Sequence, residues 1–563
     1  GYSDGGFRWA LGGKAMTWTS DKNGYRSHGS WGSHDDVYIM FFDGKAMTEF
    51  TYDKEDEELE KLLSGKSEKQ LAKEEKKDSL AQERPKKLDL LLEGREDRIR
   101  RLTSSSAAYG DHYLSRDGRT LYYIAPLENG RGLCAKDLRK GDVKVLARGV
   151  SGSITPSADG KELFVFSGRG ISRITLANGQ SKQIGFSGDF EYKPRAEREY
   201  IFEHIWKQVK EKFYDPGLHG ADWDYCHANY AAFLPYIDNG FDFQEMLSEM
   251  LGELNGSHTG ARYRPDPDEG LGRLGVLYDL SYTGEGLRIA EVLPAGVLNL
   301  ADSGIKAGDM VMAIDGHRIA AGENWFPLLV GKAGKKIQVT VRKGGKEEDL
   351  IVKPAANESA LMYRRWVRQR EEIVERLSGG RIGYVHVQGM DSPSFREVYS
   401  KALGKYRGCE ALIVDTRHNG GGWLHDDLVT FLGGKAYVEW SPRGQHIGTE
   451  PYSKWNKPSC VLVGEDNYSD ASGFPYAYRA LGIGKLIGMP VPGTMTAVWW
   501  ETQINPRIVF GIPQVGGWMI KEQRYMENYQ LEPDVRVAND PESLLQGRDP
   551  QLEKAVQEML RSL

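Results

Sequence analysis

The sequence predicts a multidomain chain: β-rich repeats first, then a small helical unit, a compact β domain and a C-terminal α/β layer. Length is the first observation, because 563 residues at roughly 100–200 per domain imply three to five folded units. Glycine is the second: 67 of them punctuate short alternating runs, the signature of strands joined by turns. Third, apolar runs beyond residue 381 alternate with helical stretches, as in a sheet buried on both faces. The hydrophobic share is 40%, the charged share 27% and the mean hydropathy −0.53, a soluble globular composition. No apolar run reaches the length that spans a bilayer. Lys plus Arg number 74 against 80 Asp plus Glu, for a net charge of −6, so nothing global favours nucleic acid or anionic lipid. Cys134, Cys226, Cys409 and Cys460 form no CxxC, which argues against a zinc cluster or a disulfide framework and for thiols in a reducing compartment. The opening Gly1-Tyr2-Ser3-Asp4 has neither a start Met nor a signal-peptide pattern, so the chain is expected to be part of a longer one.

The elements come in order. Leu114-Ser115-Arg116-Asp117-Gly118 precedes a β-rich run at 120–124, and Ser157-Ala158-Asp159-Gly160 precedes another at 163–166, the two turns lying 42 residues apart. A turn and strand recurring at about 40–45 residues matches one four-stranded propeller blade. Gly12-Gly13-Lys14 before Met16-Thr17-Trp18-Thr19 is an earlier copy. Residues 1–195 are therefore expected to be a partial β-propeller, with too few blades to close by themselves. Within it, the Lys- and Glu-crowded stretch at about 52–102 reads as a solvated insertion. Ile201, Phe202, Ile205, Trp206, Val209 and Phe213 recur at helical spacing, which predicts a helical unit over 196–262.

From 263 to 355 strand patterns return. Leu274-Gly275-Val276-Leu277, the run 286–292 and Gly304-Ile305-Lys306-Ala307-Gly308-Asp309, leading to Ile314-Asp315-Gly316, resemble a PDZ domain. In that fold a sheet edge captures extended peptide, and backbone N–H groups at the Leu274-Gly275 turn hold its terminal carboxylate. A plain small β domain is the alternative. A helix at about 359–377 then leads into the α/β layer, 356–563, with strands near 381–387, 411–415, 459–463 and 485–488.

Three loops could carry chemistry. Asp415-Thr416-Arg417-His418-Asn419-Gly420-Gly421-Gly422 comes after a strand, and its glycines can turn backbone N–H groups toward an anion. No Gly-Lys-Ser/Thr is found after it, so an oxyanion site fits better than a phosphate cradle. Ser469, in Tyr468-Ser469-Asp470-Ala471, lies between a strand and a helix, where it is either an exposed nucleophile beside a helix N-terminus or an N-cap. His258, in Gly256-Ser257-His258-Thr259, taken alone is a surface or capping residue as readily as a base.

Taken together these motifs, with Glu527-Asn528 ahead of Pro533-Asp534, resemble the core of the tricorn-type serine peptidases, relatives of the C-terminal processing peptidases. The resemblance runs from about 196 to 563 and implies an α/β, ββα-type catalytic core. It implies Ser469 as nucleophile, His258 as general base, and Ser257 and Glu527 as the relay that orients the imidazole. The implied oxyanion donors are the backbone N–H groups of Gly422 and Asp470. Leu274 and Gly275 are implied in peptide binding, and Glu439 in favouring basic side chains before the cleaved bond. Processing peptidases use a Ser–Lys dyad with the lysine about 25 residues after the serine. Here that position is Thr494, and Lys485 falls nine residues short, so the base is His258. Ser472 is the alternative nucleophile. The resemblance implies no metal or other cofactor, peptide or unfolded-protein substrates, a homo-oligomer of hexameric type and a cytoplasmic location, with a periplasmic or exported one as the alternative. A PDZ-bearing scaffold of weak catalysis and an esterase are the rival functions.

Overall fold

The computed structural model of the chain describes residues 2–25, 33–64, 90–167, 170–189, 191–267 and 269–563. The chain divides into two compact units, Gly1–Glu191 and Tyr192–Leu563.

Among the described residues, the first unit contains three four-stranded antiparallel sheets, each with its strands in chain order. The Asp-Gly repeat is visible atom by atom. Gly118 and Gly160 sit at φ 70° and 69°, conformations that glycine adopts without steric cost. In both turns the glycine N–H donates to the serine carbonyl, at 2.9 and 3.0 Å. In both, the serine Oγ accepts from the first residue of the next strand, Thr120 at 2.8 Å and Glu162 at 3.0 Å. Along Thr120–Leu127 the side chains alternate: Leu121 and Tyr123 join one core with Val37, Ile39 and Phe41 of the first sheet. Ile124 joins a second core with Leu163 and Val165 of the third. The middle sheet is thus buried on both faces through its period-2 pattern. The charged stretch begins as the helix Lys54–Ser64, but Ile99–Arg101 is the fourth strand of the first sheet, so the insertion ends before that strand. The heart of the stretch, 65–89, lies outside the described residues.

In the second unit, helices Pro194–Lys212, Trp223–Ala231 and Gly240–Gly252 form the helical segment. Asn239 caps the last of these, accepting from the N–H groups of Phe241 and Asp242 at 2.9 Å each, as an N-cap side chain should. The segment does not stand alone. Strand Gly260–Tyr263 pairs with Ile508–Gly516, which pairs with Thr496–Thr502, and Ile508, Phe510 and Ile512 complete the helical core. The boundary at 262 therefore divides one packed body. Its apolar stripe needed a partner some 250 residues downstream in sequence, roughly the separation spanned by the Ala261–Phe510 pair.

The β domain is a six-stranded sheet with Val276–Tyr278 at one edge. Helix Ser359–Ser378 comes next and ends on Gly379 at φ 60°. The last layer is a five-stranded sheet, entirely parallel and in chain order: Ile382–His386, Ala411–Asp415, Ser459–Val463, Lys485–Gly488 and Val535–Arg536. Every residue of the first three strands is buried, hence their unbroken apolar runs. Helices Ser392–Ser400, His425–Leu432 and Asp470–Ala480 cover one face, and Ser359–Ser378 and Pro550–Ser562 the other. Among the described residues no helix is long and apolar enough to cross a membrane, and all four cysteines are free.

Candidate active site

The C-terminal ends of the parallel strands present two loops side by side. The glycine loop leaves Ala411–Asp415, and the Ser469 loop leaves Ser459–Val463 to enter helix Asp470–Ala480. Buried amides lock both loops. Asn419 accepts from Gly421 N–H at 2.9 Å and donates to the Val387 carbonyl at 2.8 Å. Asn467 accepts from Gly464 N–H and donates to Thr416 Oγ1, both at 2.9 Å. Beneath them Arg417 bridges Asp415 at 2.7 Å and Asp549 at 2.9 Å, and these charges are buried only as a mutually hydrogen-bonded set.

Ser469 occupies φ 57°, ψ −128°, a costly conformation for a residue with a Cβ and one that clusters at functional sites. It stands at the helix N-cap position, but its side chain makes no capping bond, so the N-cap alternative is set aside. Ser472 is 2% exposed, and its hydroxyl donates to the Ser469 carbonyl at 2.7 Å. That makes it a brace for the turn rather than a second nucleophile. A Cβ on Gly421 would lie 2.5 Å from the Ser469 Cβ, and one on Gly422 would lie 2.1 Å from the Met390 carbonyl oxygen; both positions need glycine. Neither Gly422 N–H nor Asp470 N–H has an acceptor among the described residues. The Asp470 carboxylate accepts from the N–H groups of Leu424 and His425 and pairs with the His425 ring, clasping the glycine loop to the helix. Burial lowers the His425 pKa, but the Asp470 carboxylate outweighs it and the net shift is upward.

The base side comes from the turn after helix Gly240–Gly252. His258 sits at φ 63°, and its backbone N–H donates to Tyr468 Oη at 2.6 Å, which ties the base to the residue preceding Ser469. The Tyr468 and His258 rings are 4.8 Å apart. On the other side of the imidazole, Nδ1 lies 2.9 Å from Ser257 Oγ and 2.9 Å from Thr496 Oγ1. Ser257 Oγ donates to Glu527 at 2.9 Å, and Ser257 N–H donates to the other oxygen of that carboxylate. Glu527 is 4% exposed. Burial raises its pKa, against the opposing Ser257 hydrogen bonds, and burial pushes His258 down to about 4. The imidazole is therefore neutral at neutral pH, with the buried acid behind Nδ1 and, among the described residues, no hydrogen-bond partner on Nε2. No hydrogen bond joins Ser469 Oγ to His258 Nε2 in this structure.

The remaining predicted residues lie elsewhere. Glu439 is in the exposed hairpin Val438–Trp440/Gly448–Glu450, 3.9 Å from His446, and touches neither Ser469 nor His258. Leu274 is buried in the β-domain core, and Gly275 N–H donates to the Glu358 carboxylate at 2.5 Å. The amide expected to meet a peptide carboxylate is thus already holding one from this chain. Thr494, at the dyad lysine's position, accepts the Ser469 N–H at 2.8 Å. The sequence reading missed Thr496, Tyr468 and Glu358. Thr496 opens a Val- and Trp-rich run that reads as ordinary strand propensity. Among the described residues no group of three or more His, Cys, Asp or Glu could hold a metal ion.

Comparison with known proteins agrees with this layout. Residues 381–537, the glycine-loop and Ser469 layer, match peptidase family S41, and that is the class to which the fold and the site geometry assign the chain. Residues 194–252 match the tricorn protease C1 domain and 272–357 the tricorn protease PDZ domain. In this order the three matches make the chain a tricorn-type member of family S41. It is 31% identical to tricorn protease homolog 1 of Streptomyces coelicolor over 385 residues, 66% of this chain and 36% of that one. To the tricorn protease of Thermoplasma acidophilum it is 25% identical over 374 residues, 64% of this chain and 35% of that one. The chain thus spans about a third of the length of these relatives. A crystal structure of the tricorn protease superposes with a TM-score of 0.78 at 19% identity, covering 99% of this chain and 55% of that one, which establishes a shared fold.

Proposed function

We propose that this chain carries the catalytic machinery of a serine peptidase that hydrolyses short or unfolded peptides through an acyl-enzyme. The observation that carries the reading is the hydrogen-bonded series His258–Ser257–Glu527, tied through Tyr468 to a Ser469 held in a strained turn beside two unpartnered backbone N–H groups. Ser469 Oγ attacks the scissile carbonyl carbon and His258 Nε2 takes its proton. The oxyanion is met by the N–H groups of Gly422 and Asp470. Nδ1 keeps its proton throughout, and Glu527, acting through Ser257, stabilises the imidazolium without being protonated. As the C–N bond breaks, Nε2 returns the proton to the departing amine. Water, deprotonated by the same nitrogen, then hydrolyses the ester and frees Ser469.

The three N-terminal sheets are read as successive blades of a propeller that guides access, and the PDZ-like domain as a seat for extended peptide. The family pattern supports a homo-oligomer. Digestion of a peptide library by the intact protein and by Ser469→Ala tests the assignment. Cleavage should disappear with Ser469→Ala while the fold persists, and equal turnover by the variant would exclude Ser469 as nucleophile. Ester turnover without peptide turnover would identify an esterase instead, and retained peptide affinity without either would identify a scaffold.

A further inference from the structure

We infer that Thr496 is a second hydroxyl positioning the base, so that His258 is oriented by two side chains rather than by Ser257 alone. This rests on the peptidase reading and extends it. Thr496 Oγ1 is 2.9 Å from His258 Nδ1 and 3.0 Å from Ser257 Oγ, and the residue is only 6% exposed.

Counting protons decides the direction of each bond. Ser257 has one hydroxyl proton, and it goes to Glu527 at 2.9 Å, because a carboxylate can only accept. Ser257 Oγ must then accept in its other two contacts. Thr496 also has one hydroxyl proton, and the acceptor open to it is Ser257 Oγ. In its contact with the imidazole, Thr496 must therefore accept as well. Both hydroxyl oxygens are thus acceptors toward Nδ1, so the ring proton resides on Nδ1 and the lone pair on Nε2, the tautomer a general base needs. Without Thr496, Nδ1–H retains Ser257 Oγ but the ring loses its second anchor. The charged imidazolium, the stronger donor, loses more than the neutral ring does.

The placement is reinforced two residues earlier. Thr494 Oγ1 accepts the Ser469 N–H at 2.8 Å and lies 3.2 Å from Ser472 Oγ. Thr494 lies just ahead of strand Thr496–Thr502, so one short stretch of chain meets the backbone of the nucleophile with one threonine and the ring of the base with the next. The titratable groups around the ring are Glu527, acting through Ser257, and Tyr468; Thr496 adds no charge of its own.

The test is Thr496→Val, which removes the hydroxyl at nearly constant shape, with Thr496→Ser as its control. Thr496→Val should lower kcat about tenfold, the effect of one hydrogen bond lost in the transition state, and leave KM unchanged. It should also move the acid limb of kcat/KM to lower pH, because the imidazolium is destabilised more than the neutral ring. Thr496→Ser should restore both. An unchanged kcat in a folded Thr496→Val protein would overturn the inference, and so would a reduced kcat with an unmoved acid limb, which would assign Thr496 to strand packing. Failure of the underlying reading looks different: Ser469→Ala or Glu527→Gln would then retain turnover.

Discussion

The nucleophile half and the base half of the site are built in opposite ways. The Ser469 half is assembled at the ends of the parallel strands, mostly from contacts that are short in sequence: Thr494 is 25 residues from Ser469 and the Asp470 clasp reaches back 45 residues to His425, with Arg417–Asp549 a longer link of 132 residues beneath them. The base half is stitched across the chain, with Ser257 and Glu527 separated by 270 residues and His258 and Thr496 by 238. Most of that half therefore forms with the α/β layer itself. The other exists only when the helical segment docks on strands Thr496–Thr502 and Ile508–Gly516, so its geometry is the more sensitive to remote substitutions.

The comparison can be broken from either side. The largest effect belongs to the reacting atoms: Ser469→Ala and His258→Ala should each lower kcat on the order of 10^6-fold and abolish labelling of Ser469 by a fluorophosphonate, with circular dichroism unchanged. Glu527→Gln comes next, on the order of 10^4-fold, because the amide no longer holds the Ser257–His258 pair in one protonation pattern. Rapid labelling of Ser469 in that variant would show the two halves to be independent.

Gly422→Ala probes the Ser469 half. The added methyl would clash with the Met390 carbonyl at 2.1 Å on a residue at φ 141°. A stability loss of about 1–3 kcal/mol, read as a lower unfolding midpoint, should accompany the loss of turnover.

Acidity probes the base half. His258 must be neutral to accept a proton, and burial depresses its pKa from 6.5 to about 4. Activity should accordingly persist through pH 6.5 and fall only as pH drops toward 4. A midpoint of kcat/KM near 6.5 would show that the ring is far more solvated than this geometry implies. The smallest effect lies away from both halves. Glu358→Gln replaces the carboxylate on Gly275 N–H with a neutral acceptor and should raise affinity for peptides with a free C-terminus by about threefold to tenfold. Fluorescence anisotropy should show no such gain with the amidated peptide.

Much of this arrangement was legible because some constraints are local. A buried apolar run followed by a polar turn and a helical stretch is readable over a few residues, and it placed Ser469 between strand Ser459–Val463 and helix Asp470–Ala480; its positive φ was not legible there. The Asp-Gly turns were legible for the same reason, since each Ser-x-Asp-Gly closes on itself. The ends of the helical unit were not. Periodicity marks an apolar face but not what covers it, and here the cover is Ile508, Phe510 and Ile512. Glu439 rested on the resemblance alone, and in this structure it sits exposed on the hairpin Val438–Trp440/Gly448–Glu450. Leu274-Gly275 matches a carboxylate-binding turn in sequence, but Glu358 reaches the glycine amide first.

By itself the sequence determined the strands of the buried sheet, the strand-to-helix turn on which Ser469 stands and the Asp-Gly turns of the N-terminal sheets, because backbone sterics and hydrophobic periodicity act over a few residues. Only the tertiary structure decided which threonine stands behind the imidazole, which carboxylate sits on Gly275, and where the helical segment finds its core. Those are contacts between groups hundreds of residues apart, or between side chains with many possible partners. Their selection depends on packing and on how a limited number of buried protons can be shared.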